Sequence, residues 1–235
     1  MYGGSVQAYR TTKCTAAGHR EITLQLSKPP PFTDMHQMLL NYFEAAVARG
    51  TRFLPDQTVQ IGWSLLRLVD REDGTLGVQE RELTPDVKWA EQVDRAVVDV
   101  WLQKEVAGSV GMLDDLTFPR QDDTALVADC ALAKTQLVMT RLPDKDLPQG
   151  FSGWMFACAT EHDHGARKQV PLLAIAAIQP GLVQLLALPH GTSVLVLYVE
   201  SPDRAEGKLR IEPHVYRGSQ EIVPVPGSYL AALHA

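Results

Sequence analysis

The segment FSGWMFACATEHDHG, residues 151–165, decides how the second half of the chain is interpreted. It begins with the pattern of a buried strand, because Trp154 and Phe156 alternate with smaller residues. It ends in a polar cluster whose side chains are of the types that bind zinc or iron. The cluster consists of Glu161, His162, Asp163 and His164. The two interpretations are the reactive edge of an enzyme and a surface that holds another protein.

The composition is that of a soluble globular protein. The chain has 235 residues, of which 45% are hydrophobic and 21% charged, so that it can bury a sizeable core. Its net charge of -6 argues against a surface that neutralises many phosphates. We therefore expect no direct contact with nucleic acid, whereas a basic partner protein is compatible with the charge.

The three cysteines are predicted to be free thiols in a reducing compartment. Cys14, Cys130 and Cys158 are odd in number and have no CxxC spacing, and Cys158 is interpreted as a small core residue. The N-terminus contains no apolar signal segment, and the run VPLLAIAAI is too short to cross a bilayer. These features predict a cytoplasmic protein without a membrane partner.

Alternation and helical spacing predict the elements of the first half. Ile22, Leu24 and Leu26 indicate a strand, and residues 35–47 a helix with Thr33 as N-cap and Asp34 as a first-turn acid. Residues 57–83 indicate a hairpin around the turn REDG. A second helix is predicted to start at Thr84 and Pro85, with Asp99 on its polar side. Its predicted apolar side consists of Val93, Ala96, Val97, Val100 and Trp101.

The second half is predicted to be a further mixed unit. Its strand-like runs are TALVADCALA, TQLVMTRLP, the quoted segment and GTSVLVLYVE, and QVPLLAIAAI and PGLVQLLAL suggest short helices. Pro213 makes GKLRIEPHVYRG an edge strand. Because the elements do not alternate as βαβ, we expect an α+β fold of antiparallel sheets packed by helices, in two units, 1–120 and 121–235.

No catalytic set is convincing in the sequence. His162 and His164 make only half of a metal site, and no other histidine pair has ligand spacing, so a solvated turn is the favoured interpretation. Ser152 precedes a strand and does not form a GxSxG elbow. No glycine-rich run has the pattern of a phosphate-binding loop. We therefore expect neither a cofactor nor a metal, and a protein that is not an enzyme.

Two ordered segments resemble a family of bacterial immunity proteins of the kind encoded beside polymorphic and type VI secreted toxins. The first has the form Ser-Gly-Trp-x-Phe followed by a glutamate, and the second is a short helix that starts at proline and leads through a Pro-x-Gly turn into a strand. The matching residues are Ser152, Gly153, Trp154, Phe156 and Glu161, then Pro180, Leu185, Leu186, Pro189, Gly191 and Val194. The resemblance covers roughly Ala125 to Glu200.

The resemblance implies a binding protein that neutralises a cognate toxin by blocking its active site, and an acidic inhibitor would suit a nuclease toxin. The loops before and after the Trp154 strand are the predicted contact surface, on the expectation that they lie at one edge, with Trp154 and Phe156 in the core. The predicted toxin-binding residues are Asp144, Asp146, Glu161, His162, Asp163 and His164.

Two alternatives remain open at this stage. The first is a small metal-dependent hydrolase that uses His162, Asp163, His164 and a distant acid. The second is a chaperone that loads a secreted effector. Stoichiometric metal would favour the hydrolase, and binding to an effector's N-terminal segment would favour the chaperone.

Overall fold

The protein forms two compact units, residues 1–102 and 103–235. A computed structural model describes residues 6–32, 34–131, 136–200 and 209–234. Helices accompany one sheet in each unit, which confirms the predicted α+β class. The division precedes residue 120, and the assignment of residues 121–235 to an immunity-type unit stays a prediction. Among the described residues, no helix has both the length and the apolar character that crossing a bilayer requires.

The first unit contains a six-stranded sheet. Its strands are β1 (Gln7–Arg10), β2 (Ile22–Leu26), β3 (Thr58–Ile61), β4 (Ser64–Asp70), β5 (Leu76–Arg81) and β6 (Trp89–Ala90). The order is β1-β2-β5-β4-β3, with β6 paired to β5, and only the β2–β5 pair is parallel among these strands. Helix α1 (Met35–Ala48) follows β2, and helix α2 (Asp94–Ser109) follows β6.

The predictions for β2 and α1 are confirmed. Helix α1 buries one stripe at helical spacing, although Tyr42, predicted to belong to it, lies exposed. The prediction of Asp34 as a first-turn acid is wrong, because Asp34 precedes the helix with φ of 66° and makes no side-chain capping hydrogen bond. The predicted cap Thr33 lies outside the described residues.

The hairpin predicted around REDG is confirmed, since β4 and β5 pair antiparallel on either side of it, whereas the predicted start of the second helix is wrong. The run before REDG forms two strands, β3 and β4, which reverse direction at Gly62 and Trp63. The segment after Thr84 does not start a helix, since Trp89 and Ala90 pair with β5 and α2 begins only at Asp94. Four of the apolar residues predicted for this helix are nevertheless buried as expected, namely Val93, Ala96, Val97 and Val100, and Trp101 is partly buried.

The second unit contains a seven-stranded sheet. Its strands are β7 (Thr124–Ala128), β8 (Gln136–Arg141), β9 (Phe151–Cys158), β10 (Arg167–Pro171), β11 (Thr192–Glu200), β12 (Leu209–Arg217) and β13 (Gln220–Glu221). The order is β10-β7-β9-β8-β11-β12-β13, and β7 and β9 are the parallel pair. Helix α3 (Leu172–Ile178), a 3-10 helix (Pro180–Leu185) and helix α4 (Tyr229–Leu233) complete the unit.

The strands predicted for the second half are confirmed, with one addition. Residues 167–171 form edge strand β10 against β7. The helix predicted to begin at Gln169 therefore starts only after Pro171. Pro213 in β12 pairs with β11, whereas β13 pairs only with Tyr216 and Arg217 of β12. Pro213 therefore occupies a position without a partner strand on its second side, as a residue lacking an N–H requires.

Asp99 is the clearest departure from the predicted polar face of α2. Its side chain is buried, and its Oδ2 lies 3.9 Å from Arg95 Nε. Burial raises the pKa of Asp99 to about 7, the attraction of Arg95 opposes this, and the nearby Glu80 adds to it. Glu80 is itself buried, and its carboxylate accepts the Ala96 N–H at 2.6 Å.

We expect Asp99→Asn to stabilise the first unit, and increasingly so as the pH rises. Folding raises the pKa of Asp99 from 3.8 to about 7. The contribution of Asp99 to the free energy of unfolding is therefore fully present below its unfolded pKa and is lost as the pH rises through 7. The advantage of the variant should grow by roughly 2–3 kcal/mol between pH 5 and pH 8. Urea unfolding at the two pH values measures it, with the exposed Asp86→Asn as control. If the free energies of unfolding of Asp99→Asn and wild type differ by the same amount at both pH values, the raised pKa of Asp99 is contradicted.

Candidate functional site

The second unit is organised around the buried guanidinium of Arg141, the last residue of β8. Arg141 is 3% exposed and donates hydrogen bonds to backbone carbonyls from three segments. Nη1 reaches the carbonyl oxygens of Thr117 at 2.8 Å, Leu188 at 2.6 Å and Leu186 at 3.3 Å, and Nε reaches that of Ser152 at 3.3 Å. The guanidinium thereby joins strand β9, the segment before β7 and the segment before β11.

The environment of Arg141 is apolar on one side and acidic on the other. The guanidinium carbon lies 5.5 Å from the centre of the Trp154 ring, whose Nε1 donates to the Leu186 carbonyl at 3.0 Å. Burial lowers the pKa of Arg141 to about 10, and Asp144 and Asp123 oppose this shift. The side chain therefore remains charged at neutral pH.

The Ser-Gly-Trp motif builds a bulge in β9. Thr124 of β7 pairs with Phe151 but Leu126 pairs with Met155, so β9 accommodates two additional residues. Gly153 has φ of 80°, and a Cβ there would lie 3.2 Å from side-chain atoms of His190 and Leu147.

The hydrogen bonds of Ser152 are structural. Its Oγ donates to the Thr124 carbonyl at 2.8 Å and accepts the Trp154 N–H at 3.2 Å. Trp154 and Phe156 are fully buried, which confirms that they are core residues. The motif therefore supports the fold.

The two predicted contact loops lie at opposite ends of β9. Asp144 and Asp146 precede the strand, whereas Glu161 to His164 follow it. An eight-residue strand separates its two ends by roughly 25 Å. The expectation that both loops lie at one edge is therefore wrong, because the chain runs the full length of β9 between them.

Four aspartates lie in the segments that precede β7 and β9. These strands are parallel, so Asp122 and Asp123, just before β7, are at the same end of the sheet as Asp144 and Asp146. Asp144 has a side chain 86% exposed, and its Oδ1 lies 3.8 Å from His190 Nε2. We call this group the acidic end: Asp122, Asp123, Asp144 and Asp146.

At the opposite end of the sheet, the two histidines of the polar cluster lie beside two cysteines. The nearest atoms of Cys130, Cys158, His162 and His164 that can bind a metal are all within 4.8 Å of one another. Asp163 makes a different interaction, in which its Oδ1 accepts the Gly165 N–H at 2.9 Å. Sequence reasoning assigned Cys158 to the core and gave Cys130 no role, since their separation in the chain matches no ligand motif.

Comparison with protein families finds one match, in the middle and second half of the chain. Residues 102–203 match the model of the Imm33-like domain, an immunity protein family. No curated protein and no solved structure matches the chain. The match supports the predicted resemblance to immunity proteins, and the two resembling segments lie inside it.

We expect Arg141→Met to destabilise the second unit by about 3–5 kcal/mol, because it leaves buried carbonyls without donors. Arg141→Lys should restore part of this loss, since an ammonium group has fewer donors. Hydrogen exchange at the amides of β8 and β9 measures the effect. The exposed Arg167→Met is the control, with an expected change within about 0.5 kcal/mol. Equal protection in Arg141→Met and wild type would contradict the central role of the guanidinium.

Proposed function

We propose that this protein is an immunity protein that binds a cognate secreted antibacterial toxin and blocks its active site. The observation that carries the proposal is the match of residues 102–203 to the Imm33-like domain. In this proposal the protein acts in the bacterial cytoplasm, on a toxin delivered by a type VI or similar secretion system.

The distribution of charge supports a cationic toxin surface. Residues 102–203 contain 12 Asp and Glu against 7 Lys and Arg, a difference of -5 out of the net -6 of the whole chain. An acidic surface attracts and orients a basic partner. Nucleases bind phosphates with such basic sites, and we therefore propose a nuclease as the toxin.

The acidic end is the contact surface that we favour. Its loop is held in shape by the backbone, since the Leu142 N–H donates to the Gly153 carbonyl at 2.9 Å and the Phe151 N–H to the Pro148 carbonyl at 3.1 Å. A loop already held in its bound shape loses little entropy on association. Glu161 and Asp163 form the second candidate surface, with Arg167 nearby in sequence, whereas Lys168 pairs with Asp129 at 2.8 Å. Lys145 lies between Asp144 and Asp146, and the acidic end has four aspartates.

Co-expression with the toxin domain encoded beside the gene tests the proposed function. We expect cells to survive and the full chain to be recovered in a stable complex with the toxin domain. Cell death despite good expression would overturn the proposal. Survival without a complex would overturn inhibition by direct binding.

We expect the double variant Asp144→Asn/Asp146→Asn to slow toxin association about ten-fold at low salt, because it removes two exposed charges that steer the encounter. Asparagine suits this test because Asp146 has φ of 62°, a conformation that asparagine tolerates. Stopped-flow association rates at several salt concentrations measure the effect.

The matched control is Glu161→Asn/Asp163→Asn, which removes two carboxylates from the opposite end of the sheet. We expect it to change the association rate much less. If the control slows association and Asp144→Asn/Asp146→Asn does not, the contact lies at the end that includes Glu161 to His164, and our assignment of the acidic end is wrong.

A further inference from the structure

We propose that Cys130, Cys158, His162 and His164 bind one zinc ion in a closed structural site. The proposal is independent of the proposed function, since it follows from the geometry of these four side chains. They come from two strand ends and the segment between β9 and β10.

The sheet topology brings the four residues together. Strands β7 and β9 are parallel, so their last residues lie at the same end of the sheet, where Cys158 ends β9 and Cys130 follows β7. Strand β10 lies on the far side of β7 and runs antiparallel to it. Residues 159–166, which connect β9 to β10, must therefore cross the end of β7, and this crossing carries both histidines over Cys130.

The distances between the side-chain atoms match a tetrahedral site. Cys130 Sγ lies 3.3 Å from His164 Nδ1, and Cys158 Sγ lies 3.7 Å from His162 Nε2 and 3.8 Å from His164 Nδ1. Zinc bonds of about 2.3 Å to sulfur and about 2.0 Å to nitrogen separate neighbouring ligand atoms by roughly 3.3–3.8 Å. Three of the six pairs of ligand atoms have these separations, and the other three lie within 4.8 Å, so that side-chain movements of about 1 Å or less would close the site around an ion.

The chemistry of the ligands selects zinc. Two thiolates and two imidazoles in a tetrahedron are a set typical of structural zinc. The two thiolates neutralise the charge of Zn²⁺, which suits a site where Cys158 is 3% exposed and Cys130 is half-buried.

A closed set of four protein ligands leaves no position for a reactive water. The site therefore differs from a hydrolase centre built on His162, Asp163 and His164, since the Asp163 carboxylate is engaged by the Gly165 N–H. Its role would be to fix residues 159–166, which contain no helix or strand, across the end of β7.

Metal analysis of the full chain, purified under reducing conditions without a histidine tag, tests the site. We expect about one zinc per chain, and after exchange with Co²⁺ the intense visible absorption of a tetrahedral ion together with a sulfur-to-cobalt charge-transfer band. The Co²⁺ spectrum of the wild-type protein does not depend on whether any variant folds. No zinc and no tetrahedral Co²⁺ spectrum would overturn the proposal, as would a Cys130–Cys158 disulfide in protein from a reducing cytoplasm.

Variants separate the ligands from their neighbours. Cys130→Ser and His164→Gln should lower the zinc content from about one to below about 0.2 per chain. Cys14→Ala, which removes a thiol from the first unit, and Asp163→Asn should retain it. Loss of zinc in Asp163→Asn with retention in Cys130→Ser would overturn the closed site in favour of a carboxylate centre.

Limited trypsin digestion gives a readout of the structural role. Arg167 and Lys168 lie exposed at the start of edge strand β10, directly after the crossing segment. We expect a chelator to accelerate cleavage there by about ten-fold or more in the wild type, because local opening becomes easier. In Cys130→Ser, cleavage should be fast with or without chelator. Cleavage of the wild type at one rate in both conditions would overturn a role for the ion in holding the segment.

Discussion

The second unit depends on a buried positive charge that is held by backbone carbonyls. The guanidinium of Arg141 takes its acceptors from Thr117, Leu186, Leu188 and Ser152, which belong to three different segments. A buried carbonyl without a donor, or a buried cation without acceptors, costs several times the net gain of one hydrogen bond. The three segments are consequently fixed relative to β8, and with them the bulge in β9 and the position of the loop that carries Asp144.

The contacts of Arg141 explain what several of the residues that resemble immunity proteins do in the fold. Trp154 lies against the guanidinium and donates to the Leu186 carbonyl, while Gly153 permits the bulge that Ser152 closes onto β7. Both resembling segments thus meet at Arg141. Apart from Glu161, which lies exposed in the loop after β9, the resembling residues named here build a scaffold. The loop that we propose to contact the partner, with Asp144 and Asp146, lies at the other end of β9.

The sequence predicted those elements in which the spacing of apolar residues alone determines the buried face. Helix α1 and strands β2 and β9 followed from apolar spacing. The start of α2 did not, because the pairing of β6 with β5 takes the residues after Thr84 into the sheet. The role of Arg141 and the proximity of Cys130 to Cys158 could be recognised only from the sheet topology. A single arginine and two widely separated cysteines show no periodic pattern in the sequence.

The separation of scaffold from loops has a consequence for how such proteins diverge. The loop that carries Asp144 and Asp146 is fixed at its two ends through backbone groups of Leu142, Pro148 and Phe151. Within it, Asp146 has φ of 62°, so this position favours aspartate, asparagine or glycine, and the other exposed positions are less restricted. If this loop contacts the partner as we propose, substitutions at its other exposed positions can alter that partner with little effect on folding. A lineage can then explore several sequences at this loop one residue at a time, each intermediate remaining a folded protein.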